Sequence, residues 1–371
     1  MYLSKLELKN YRNIKKEKVK LCDKVNIFIG DNAQGKTNLL ESIYILALTK
    51  SHRVGYENNI IQNGYEACKI SGLLNDNDFY KDLELLINND KKKVSINKKE
   101  IKKIADYISN MNVIMFCPND LDVVKGSPQI RRNLLNIEIS QLYPLYVNYL
   151  NEYNKILKNR NEYLKQMSIN GMTDGRYLDI LDEKLVDRGA LIINYRNNYL
   201  EYINSKITDI YKNIMNISNL KVKYESSIEV DNYDIDKIKD KFMKKLKSNL
   251  KREIQQGMTL YGPHRDDFSF YIKDDDLKYY GSQGQQRLAI ISFKLAEVEL
   301  FKKEKNTSPI LLLDDIFSEL DIDKRNKLIK YIPIDIQTII TTTDLKNIEK
   351  KILKYAKVFI VKDGKIMEKA G

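Results

Sequence analysis

The feature that most constrains the fold of this sequence is a glycine-rich octapeptide between a predicted strand and a predicted helix. In order, its residues are Gly30, Asp31, Asn32, Ala33, Gln34, Gly35, Lys36 and Thr37. The glycines let the loop curl so that its backbone N–H groups face phosphates. Lys36 is expected to reach the β- and γ-phosphates, and the Thr37 hydroxyl is expected to ligate Mg²⁺. The sequence therefore predicts a site for ATP with Mg²⁺.

A second apolar segment, residues 309–313, ends in two carboxylates, Asp314 and Asp315. A buried strand that delivers a carboxylate at its end is what Mg²⁺ requires beside a phosphate-binding loop. Asp314 is expected to hold the water shell of the metal. Asp315, one residue further along, is expected to polarise the attacking water. The predicted catalytic residues are therefore Asp315 and Lys36.

A third segment separates this sequence from most proteins that carry such a loop. Ser282, Gly284 and Gln285 precede a predicted buried helix at 288–296, and a hydroxyl with free amides at a helix N-terminus suits an anion. This arrangement resembles the signature sequence of ABC ATPases. The resemblance implies that these three residues contact ATP held by a second copy of the chain, so that ATP promotes a homodimer.

Two further segments resemble ABC ATPases, and one of them also departs from the transporters among them. Residues 318–321 resemble the D-loop. The predicted strand that follows ends in Thr341, Thr342 and Thr343, where transporters carry a histidine that senses the γ-phosphate. Asp315 stands where transporters have the longer glutamate. Both departures from the transporter pattern favour a slow ATPase that acts as a switch. They do not identify the residue that senses the γ-phosphate.

The charge of the chain favours polyanions as partners. Lys and Arg number 63 against 51 Asp and Glu, a net charge of +12, which points to DNA or RNA first and to an anionic membrane surface second. The surplus is spread along the chain, and a biased genome accounts for many of the lysines equally well. No apolar run is long enough to span a bilayer, and no signal peptide is recognisable. The three cysteines form no paired motif, so a cytoplasmic protein is expected.

The distribution of glycine, proline and apolar residues divides the chain into three parts. Residues 1–118 show strand patterns, residues 129–256 show helical spacing, and strands and helices alternate again from Tyr261. The outer parts carry complementary halves of one site. We therefore expect an α/β, ABC-type ATPase head made of residues 1–118 and 258–371, with a mainly helical lobe of residues 119–257 inserted into it. A hairpin turn is expected at 88–90 and an interhelical loop at 170–175.

Further segments resemble the RecF family of bacterial recombination-repair ATPases. They are residues 8–13, 49–53, 116–121, 125–128, the pair Arg131 and Arg132, and residues 261–267. SMC and Rad50 heads share only the nucleotide motifs, so these segments mark the RecF family more specifically. The first of them implies that Arg12 lies near the nucleotide. The chain departs from the family at Asn119 and Asn136, where acidic residues are usual.

The resemblance to the RecF family also implies a function. It implies DNA binding at gapped or stalled sites, and assistance to RecO and RecR in loading the RecA recombinase, with links to replication restart and the SOS response. The implied partners are DNA (single-stranded, gapped or duplex), RecR, RecO and a second copy of the chain in an ATP-dependent homodimer. Slow hydrolysis would then release the DNA.

Clusters of basic residues are candidate contacts to DNA phosphates. The run 91–103 holds seven lysines and the run 241–252 holds six basic residues, although a solvated face accounts for each run equally well. The candidates are Lys91, Lys92, Lys93, Arg131, Arg132, Lys244 and Lys245. The two histidines, His52 and His264, are expected to be structural hydrogen-bonding residues.

Three other protein classes remain as alternatives. A Rad50- or SMC-type head would carry a long coiled coil, but two antiparallel helices of the inserted lobe could reach at most ~100 Å, and no sustained heptads occur. A soluble transporter ATPase subunit is disfavoured by the net charge of +12 and by the threonines that stand where transporters carry a histidine. A DNA-binding scaffold without catalysis does not require the complete set Lys36, Thr37, Asp314 and Asp315.

Overall fold

The computed structural model describes residues 1–53, 60–76, 79–88, 91–171, 175–333, 335–348 and 350–369. The expected hairpin turn at 88–90 and the expected loop at 170–175 lie partly outside these residues. The chain forms two compact units. The first contains residues 1–120, 210–217 and 290–371, and the second contains residues 121–209 and 218–289.

The strands divide between an antiparallel and a mainly parallel sheet in the first unit and a small sheet in the second. In chain order they are β1 (Tyr2–Tyr11), β2 (Ile14–Lys20), β3 (Val25–Ile29), β4 (Ala67–Asp76), β5 (Phe79–Asn88), β6 (Lys92–Ile96), β7 (Lys99–Ile101), β8 (Val113–Phe116), β9 (Leu220–Glu225), β10 (Asp267–Ile272), β11 (Asp275–Asp276), β12 (Ile310–Asp314), β13 (Thr338–Thr342), β14 (Ala356–Lys362) and β15 (Lys365–Glu368).

The long helices lie mainly in the middle of the chain, as the helical spacing there predicts. In chain order the helices are α1 (Lys36–Leu48), α2 (Ile104–Ile108), α3 (Leu121–Lys125), α4 (Pro128–Leu142), α5 (Pro144–Asn170), α6 (Gly175–Met215), α7 (Ile235–Gln256), α8 (Leu277–Tyr280), α9 (Gln283–Lys305), α10 (Ile322–Tyr331) and α11 (Lys350–Leu353). None of the helices in the described ranges is long and apolar enough to cross a membrane.

The sheet that positions the candidate site has the order β15-β14-β3-β13-β12-β8. Strands β14, β3, β13, β12 and β8 run parallel, and β12 and β13 are buried along their whole length. Such burial on both faces explains the continuous apolar runs that mark these strands in the sequence. Parallel strands bring their carboxyl ends to one edge, so the segments after Ile29, Asp314 and Thr342 meet there.

The other sheet of the first unit is antiparallel, with the order β2-β1-β4-β5-β6-β7. Its strands alternate between buried apolar side chains and more exposed polar ones. Leu8, Ile70, Leu85 and Val94 are buried on one face. The strand patterns expected from the N-terminal sequence are confirmed here.

The second unit differs from the expected helical lobe in one element. Strand β9 interrupts the helical stretch and pairs with β10, with Val222 opposite Phe270 and Leu220 opposite Ile272. The short alternation of apolar and lysine residues in β9 is a strand pattern that the surrounding helices obscured. Because β10 completes this sheet, residues 258–289 belong to the second unit, whereas the sequence interpretation assigned them to the head.

The helices available to form an arm are short. Helix α5 has 27 residues and α6 has 41, so at 1.5 Å per residue they extend roughly 40 Å and 60 Å. Both lengths are below the ~100 Å that two antiparallel helices of the inserted lobe could reach at most.

A buried ion cluster ties together the helices of the second unit. The fully buried Arg160 donates from Nε to Asp182 Oδ1 at 2.6 Å and from Nη1 to Thr259 Oγ1 at 2.8 Å. Its Nη2 lies 2.8 Å from Glu253 Oε2, an ion pair without hydrogen-bond alignment. Burial raises the pKa of Asp182 and of Glu253 against the lowering effect of the guanidinium. The cluster links α5, α6 and α7.

Removing the cation of this cluster should therefore destabilise the protein strongly. Arg160→Met leaves two buried carboxylates without a counter-charge, which lowers the free energy of unfolding by about 3–5 kcal/mol. Urea denaturation measures the change. Lys158→Met, on the same helix with a side chain 78% exposed, is the matched control and should change the value by less than ~0.5 kcal/mol. Similar small effects for both variants would contradict the role of the cluster.

Candidate nucleotide-binding site

The glycine-rich loop follows β3 and is held in a curled conformation. Ala33 has φ 63° and Gly35 has φ 106°, a region in which glycine is favoured. A Cβ at Gly30 would lie 2.3 Å from the carbonyl oxygen of Val361, so only glycine fits between the loop and β14. The Gly364 N–H donates to the Gln34 carbonyl at 3.1 Å, and these contacts fix the shape of the loop.

The Lys36 side chain lies folded over this loop. Its Nζ donates to the carbonyls of Gly30 at 2.6 Å and Asp31 at 2.8 Å. Burial lowers the pKa of Lys36, and the nearby charges of Asp315, Asp314 and Asp31 oppose that shift. The ammonium is therefore held at the loop, where an anion would meet it.

A hydroxyl and a carboxylate meet at the first turn of α1. Thr37 Oγ1 donates to Asp314 Oδ1 at 3.1 Å, and Thr341 Oγ1 donates to the same oxygen at 2.6 Å. Burial raises the pKa of Asp314 despite these hydrogen bonds and the charge of Arg53. A hydroxyl beside a carboxylate is the all-oxygen donor set that Mg²⁺ prefers. Thr37 and Asp314 therefore fit the metal expected of them.

Asp315 takes an unusual backbone conformation next to this pair. Its φ is 47°, and its N–H lies 3.1 Å from the hydroxyl of Thr341 and 3.3 Å from the Thr341 carbonyl. A non-glycine residue in the left-handed region is uncommon and occurs often at functional sites. Thr341 thus contacts the carboxylate of Asp314 and the backbone N–H of Asp315. Thr342 instead donates its hydroxyl to the Asp344 carbonyl at 3.0 Å.

These residues line a polar cavity of about 280 Å³. Its lining consists of Asn32, Ala33, Gly35, Lys36, Thr37, Asn38, Arg53, Asp314 and Asp315. The first unit also encloses a more apolar cavity of about 320 Å³ near Lys24, Phe317 and Tyr355. A triphosphate requires N–H donors and a cation, and the polar cavity, with the glycine-rich loop and Lys36 in its lining, offers both.

Arg53 lines the cavity, whereas Arg12, which was expected near the nucleotide, does not. Arg12 donates from Nε and Nη2 to Glu41 at 3.0 and 2.8 Å, and the buried Glu41 also accepts hydrogen bonds from Tyr11 and Ser51. Arg12 therefore holds the carboxylate of Glu41 on helix α1. Arg53 lies in residues 49–53, one of the segments that resemble the RecF family. The sequence alone did not predict that its side chain lines the cavity. Its Nη1 donates to Asn38 at 3.3 Å.

The signature segment forms the N-terminus of α9 in the second unit. The Ser282 hydroxyl accepts a hydrogen bond from the Gln285 N–H at 3.3 Å, and the Gln285 side chain accepts one from the Ser282 N–H at 2.8 Å. This reciprocal pair is a capping box, which explains the spacing of the serine and the glutamine. Ser282 and Gly284 are exposed, and a Cβ at Gly284 would meet no atom within 4 Å. In the D-loop-like segment, the side chains of Ser318 and Glu319 lie outside the described part.

The arginine pair proposed as a DNA contact has structural partners. Arg131 donates from Nε and Nη2 to the two oxygens of Asp267, both at 2.7 Å, and its side chain is 4% exposed. Arg132 donates to the Asp266 carbonyl at 2.8 Å. The guanidinium of Arg131 is buried and its N–H groups are engaged within the chain, so it is not available to a DNA phosphate.

The lysine candidates differ from one another in direction and exposure. Lys92 donates its Nζ to the Thr49 carbonyl at 3.0 Å, whereas Lys91 and Lys93 are exposed. On α7, Lys244 is exposed and the Nζ of Lys245 lies 4.8 Å from the centroid of the Tyr261 ring. The exposed members of each run, Lys91, Lys93 and Lys244, are the most accessible to a phosphate.

Both histidines are half-buried and have structural surroundings. His264 donates from Nε2 to the Thr259 carbonyl at 3.1 Å and accepts from the Tyr153 hydroxyl at Nδ1, 2.7 Å away. His52 packs edge-on against Tyr44. Burial lowers the pKa of each histidine to about 4, so both are neutral at pH 7. For His264 the hydrogen bonds match the expected structural role.

Comparison with known proteins places these features in a family. The model of the RecF/RecN/SMC N terminal domain matches residues 2–367. The DNA replication and repair protein RecF of Bacillus cereus (strain G9842) is 41% identical over 368 residues, which cover 99% of this chain and 98% of that protein. The chain belongs to the RecF family. RecF of Bacillus thuringiensis (strain Al Hakam) matches with the same identity and coverage.

Solved structures agree with the family and with the fold. The recombination mediator protein RecF with ATP, described in the RecFOR pathway, is 34% identical and has a TM-score of 0.91 over 100% of this chain and 98% of that one. Its RecF-ATPrS counterpart is 33% identical with a TM-score of 0.90 and the same coverage. An Smc head domain of Pyrococcus furiosus has a TM-score of 0.55 at 15% identity, covering 99% of this chain and 96% of that one, and it shows the fold alone. The expected α/β, ABC-type ATPase head is confirmed.

The carboxylate of Asp314 should control the metal dependence of ATP binding. Asp314→Asn keeps the shape of the side chain but removes its charge, so Mg²⁺-dependent affinity should fall roughly tenfold to a hundredfold. Calorimetric titration of ATP with and without Mg²⁺ measures this. In the parent protein the Mg²⁺ effect should fade as the pH falls through the raised pKa of Asp314, because protonation removes the metal-binding charge.

The control for this substitution is Asp335→Asn, an exposed aspartate of the same unit, which should bind ATP and Mg²⁺ as the parent does. If Asp314→Asn retained the full Mg²⁺ dependence, its assignment to the metal would be wrong.

Proposed function

We propose that this protein is a slow ATPase that uses ATP to dimerise on DNA during recombinational repair. The observation that carries the proposal is the meeting of Lys36, Thr37 and Asp314 in one polar cavity. Two RecF structures of high similarity hold ATP or an ATP analogue, which supports ATP as the ligand of this cavity.

The phosphate-binding half of the site lies within one chain. The loop N–H groups and the Lys36 ammonium would bind the β- and γ-phosphates, with the ammonium exchanging its loop carbonyls for phosphate oxygens. Thr37 and Asp314 would hold Mg²⁺, which neutralises phosphate charge when it is bound. Arg53 lines the same cavity and would add a second cation near the phosphates.

The other half of the site would come from a second copy. Ser282 and Gly284 are exposed at a helix N-terminus, and Gln285 orients the serine through the capping box. Such a terminus favours an anion. A γ-phosphate presented by a partner copy would fill this position. ATP then stabilises the dimer by mass action, because it binds the dimer better than the monomer.

Hydrolysis would separate the two copies slowly. Asp315 would orient and polarise the attacking water and accept its proton. Aspartate has a shorter reach than glutamate, and Thr341, which lies at the strand end, is engaged with both Asp314 and Asp315. This arrangement favours a long-lived ATP state, which suits a switch.

In repair, the closed dimer would bind single-stranded, gapped or duplex DNA and act with RecR and RecO to load the RecA recombinase, thereby supporting the SOS response. Support comes from the relatives, which are DNA replication and repair proteins and recombination mediators of the RecFOR pathway. A Rad50- or SMC-type tether is less well supported, because α5 and α6 are short. The whole-length similarity to RecF also disfavours a transporter subunit.

Dimerisation should require both halves of the site. Lys36→Met should bind ATP poorly and remain monomeric, whereas Ser282→Arg should bind ATP normally but fail to pair, because the large cation blocks the γ-phosphate position. Sedimentation velocity with and without ATP distinguishes these results. Ser205→Arg adds the same charge at an exposed serine of α6 and should pair like the parent. Normal pairing by Ser282→Arg would exclude the shared site.

Loss of the proposed base should arrest the cycle in the paired state. Asp315→Asn should bind ATP and dimerise, yet its turnover should fall by roughly two to four orders of magnitude, the usual contribution of a positioned base. Phosphate release measures turnover, and sedimentation shows the persistence of the dimer. Undiminished turnover would remove Asp315 from catalysis.

A further inference from the structure

The antiparallel sheet of the first unit carries a line of cations across its polar face. Strand register places Lys16 opposite Lys9, Lys9 opposite Lys69, Lys69 opposite Leu86, and Leu86 opposite Lys93. These five residues thus cross β2, β1, β4, β5 and β6 in one straight row. We refer to Lys16, Lys9, Lys69 and Lys93 as the lysine row.

The lysine row lies on the accessible face. Lys9, Lys16 and Lys93 are exposed, while their strand neighbours on the opposite face, such as Leu8 and Val94, are buried. Leu86 is 36% exposed within the row. Part of the row, Lys9, Lys16 and Lys69, lines a groove of about 620 Å³, whose lining also includes Glu7, Leu8, Glu17, Lys18 and Ser71. A ligand can therefore reach the row without any movement of the chain.

The neighbouring acidic residues leave most of this charge uncompensated. Glu7 pairs with Lys5 at 2.5 Å and Lys18 at 3.4 Å, and Glu84 pairs with Lys69 at 2.6 Å. Within the described ranges, Lys9, Lys16 and Lys93 form no ion pair. Glu7 and Glu84 both belong to the adjacent row of side chains, since they face Ser71 from either side. The lysine row is thus bordered by a row of mixed charge, Lys18, Glu7, Ser71 and Glu84.

Such an arrangement opposes folding stability. Like charges directly opposite each other on adjacent strands are destabilising, and here Lys9 faces a lysine on both sides. If these side chains served only to keep the sheet soluble, positive and negative residues could alternate along the row, as they do in the adjacent row. An external polyanion would relieve the repulsion along the whole row.

We propose that the lysine row binds the phosphate backbone of DNA, an inference that rests on the DNA-binding function proposed above and locates its surface. Five strands spaced 4.7–4.9 Å apart give the row a length of roughly 19 Å. One DNA strand advances about 3.4 Å along the helix axis per phosphate, so the row spans roughly five to six phosphate steps along that axis. A straight array of cations matches the regular charge of a nucleic acid strand, and the exposed Leu86 offers apolar contact to a sugar or base.

The salt dependence of DNA binding tests this assignment. The double substitution Lys9→Gln and Lys16→Gln should reduce the slope of log affinity against log salt by about 1.8, or 0.9 for each lost phosphate contact. The loss of affinity between 50 and 200 mM salt should accordingly be roughly twelvefold smaller than in the parent. Fluorescence anisotropy with a gapped duplex in the presence of ATP measures both values.

The matched control is Lys5→Gln with Lys20→Gln. These lysines also face each other on β1 and β2, so the change in net charge is the same, but they lie beyond Glu7 and outside the row. The control should keep the slope of the parent. The Lys9 and Lys16 variant should also keep its ATP-dependent sedimentation, and its Tm should equal or exceed that of the parent because a like-charge contact is removed.

An equal change of slope in both double variants would reduce the effect to net charge and overturn the proposal. An unchanged slope in the Lys9 and Lys16 variant would also overturn it. The remaining candidate partner of the row would then be an acidic protein. If the parent dimerised with ATP but bound no DNA, the proposed function would fail together with the row. Normal DNA binding with an unchanged slope would reject the row alone.

Discussion

The hydrogen bond from the Thr37 hydroxyl to Asp314 joins two segments that lie 277 residues apart in the sequence. Thr37 lies in the first turn of α1, which follows β3, and Asp314 ends β12; β13 lies between β3 and β12 in the sheet. The side chain of Thr341, at the end of β13, completes the contact with the same carboxylate oxygen. Because the proposed Mg²⁺ site needs these two oxygens close together, the parallel sheet is the constraint on which the proposed ATP site depends.

The rest of the first unit keeps that edge of the sheet in place. Gly30 allows the loop to approach β14, and the contact of Gly364 with Gln34 holds the loop from the side. Behind the loop, the Arg12–Glu41 ion pair supports α1. The charged groups of Lys36 and Asp314 are partly removed from water. Burial therefore lowers the pKa of Lys36 and raises that of Asp314. Both shifts favour neutral forms, and bound Mg²⁺ and phosphates would restore the charged ones.

The sequence was most informative where chemistry is carried by contiguous residues. The glycine-rich loop, the strand ending at Asp314 and the Ser282–Gln285 spacing each encode a local structure, and the structure has a curled loop, a buried strand and a capping box at these places. The sequence was least informative where partners are distant. Nothing near Arg12 in the chain indicates that Glu41 binds it, and nothing near Arg53 indicates that it lines the cavity. Strand β9 escaped notice because its partner β10 follows 42 residues later.

The lysine row shows the same limit more sharply. Its members come from four strands, and only the register of the antiparallel sheet aligns them. Lys93 was a candidate because it lies in a run of lysines, whereas Lys9 stands alone and Lys16, although it lies in the lysine-rich segment 15–20, was not among the candidates. Conversely, Arg131 was a candidate because it stands beside another arginine, yet it is buried against Asp267.

The central claim, an ATP site shared between two copies, is tested most directly by mixing two inactive variants. Lys36→Met chains retain Ser282, and Ser282→Arg chains retain Lys36, so a mixed pair contains one complete site. If the site is shared, ATP hydrolysis and pairing should be absent in each variant alone and should reappear in the mixture. If each chain completes its own site, the mixture should remain as inactive as its components, and that result would contradict the account.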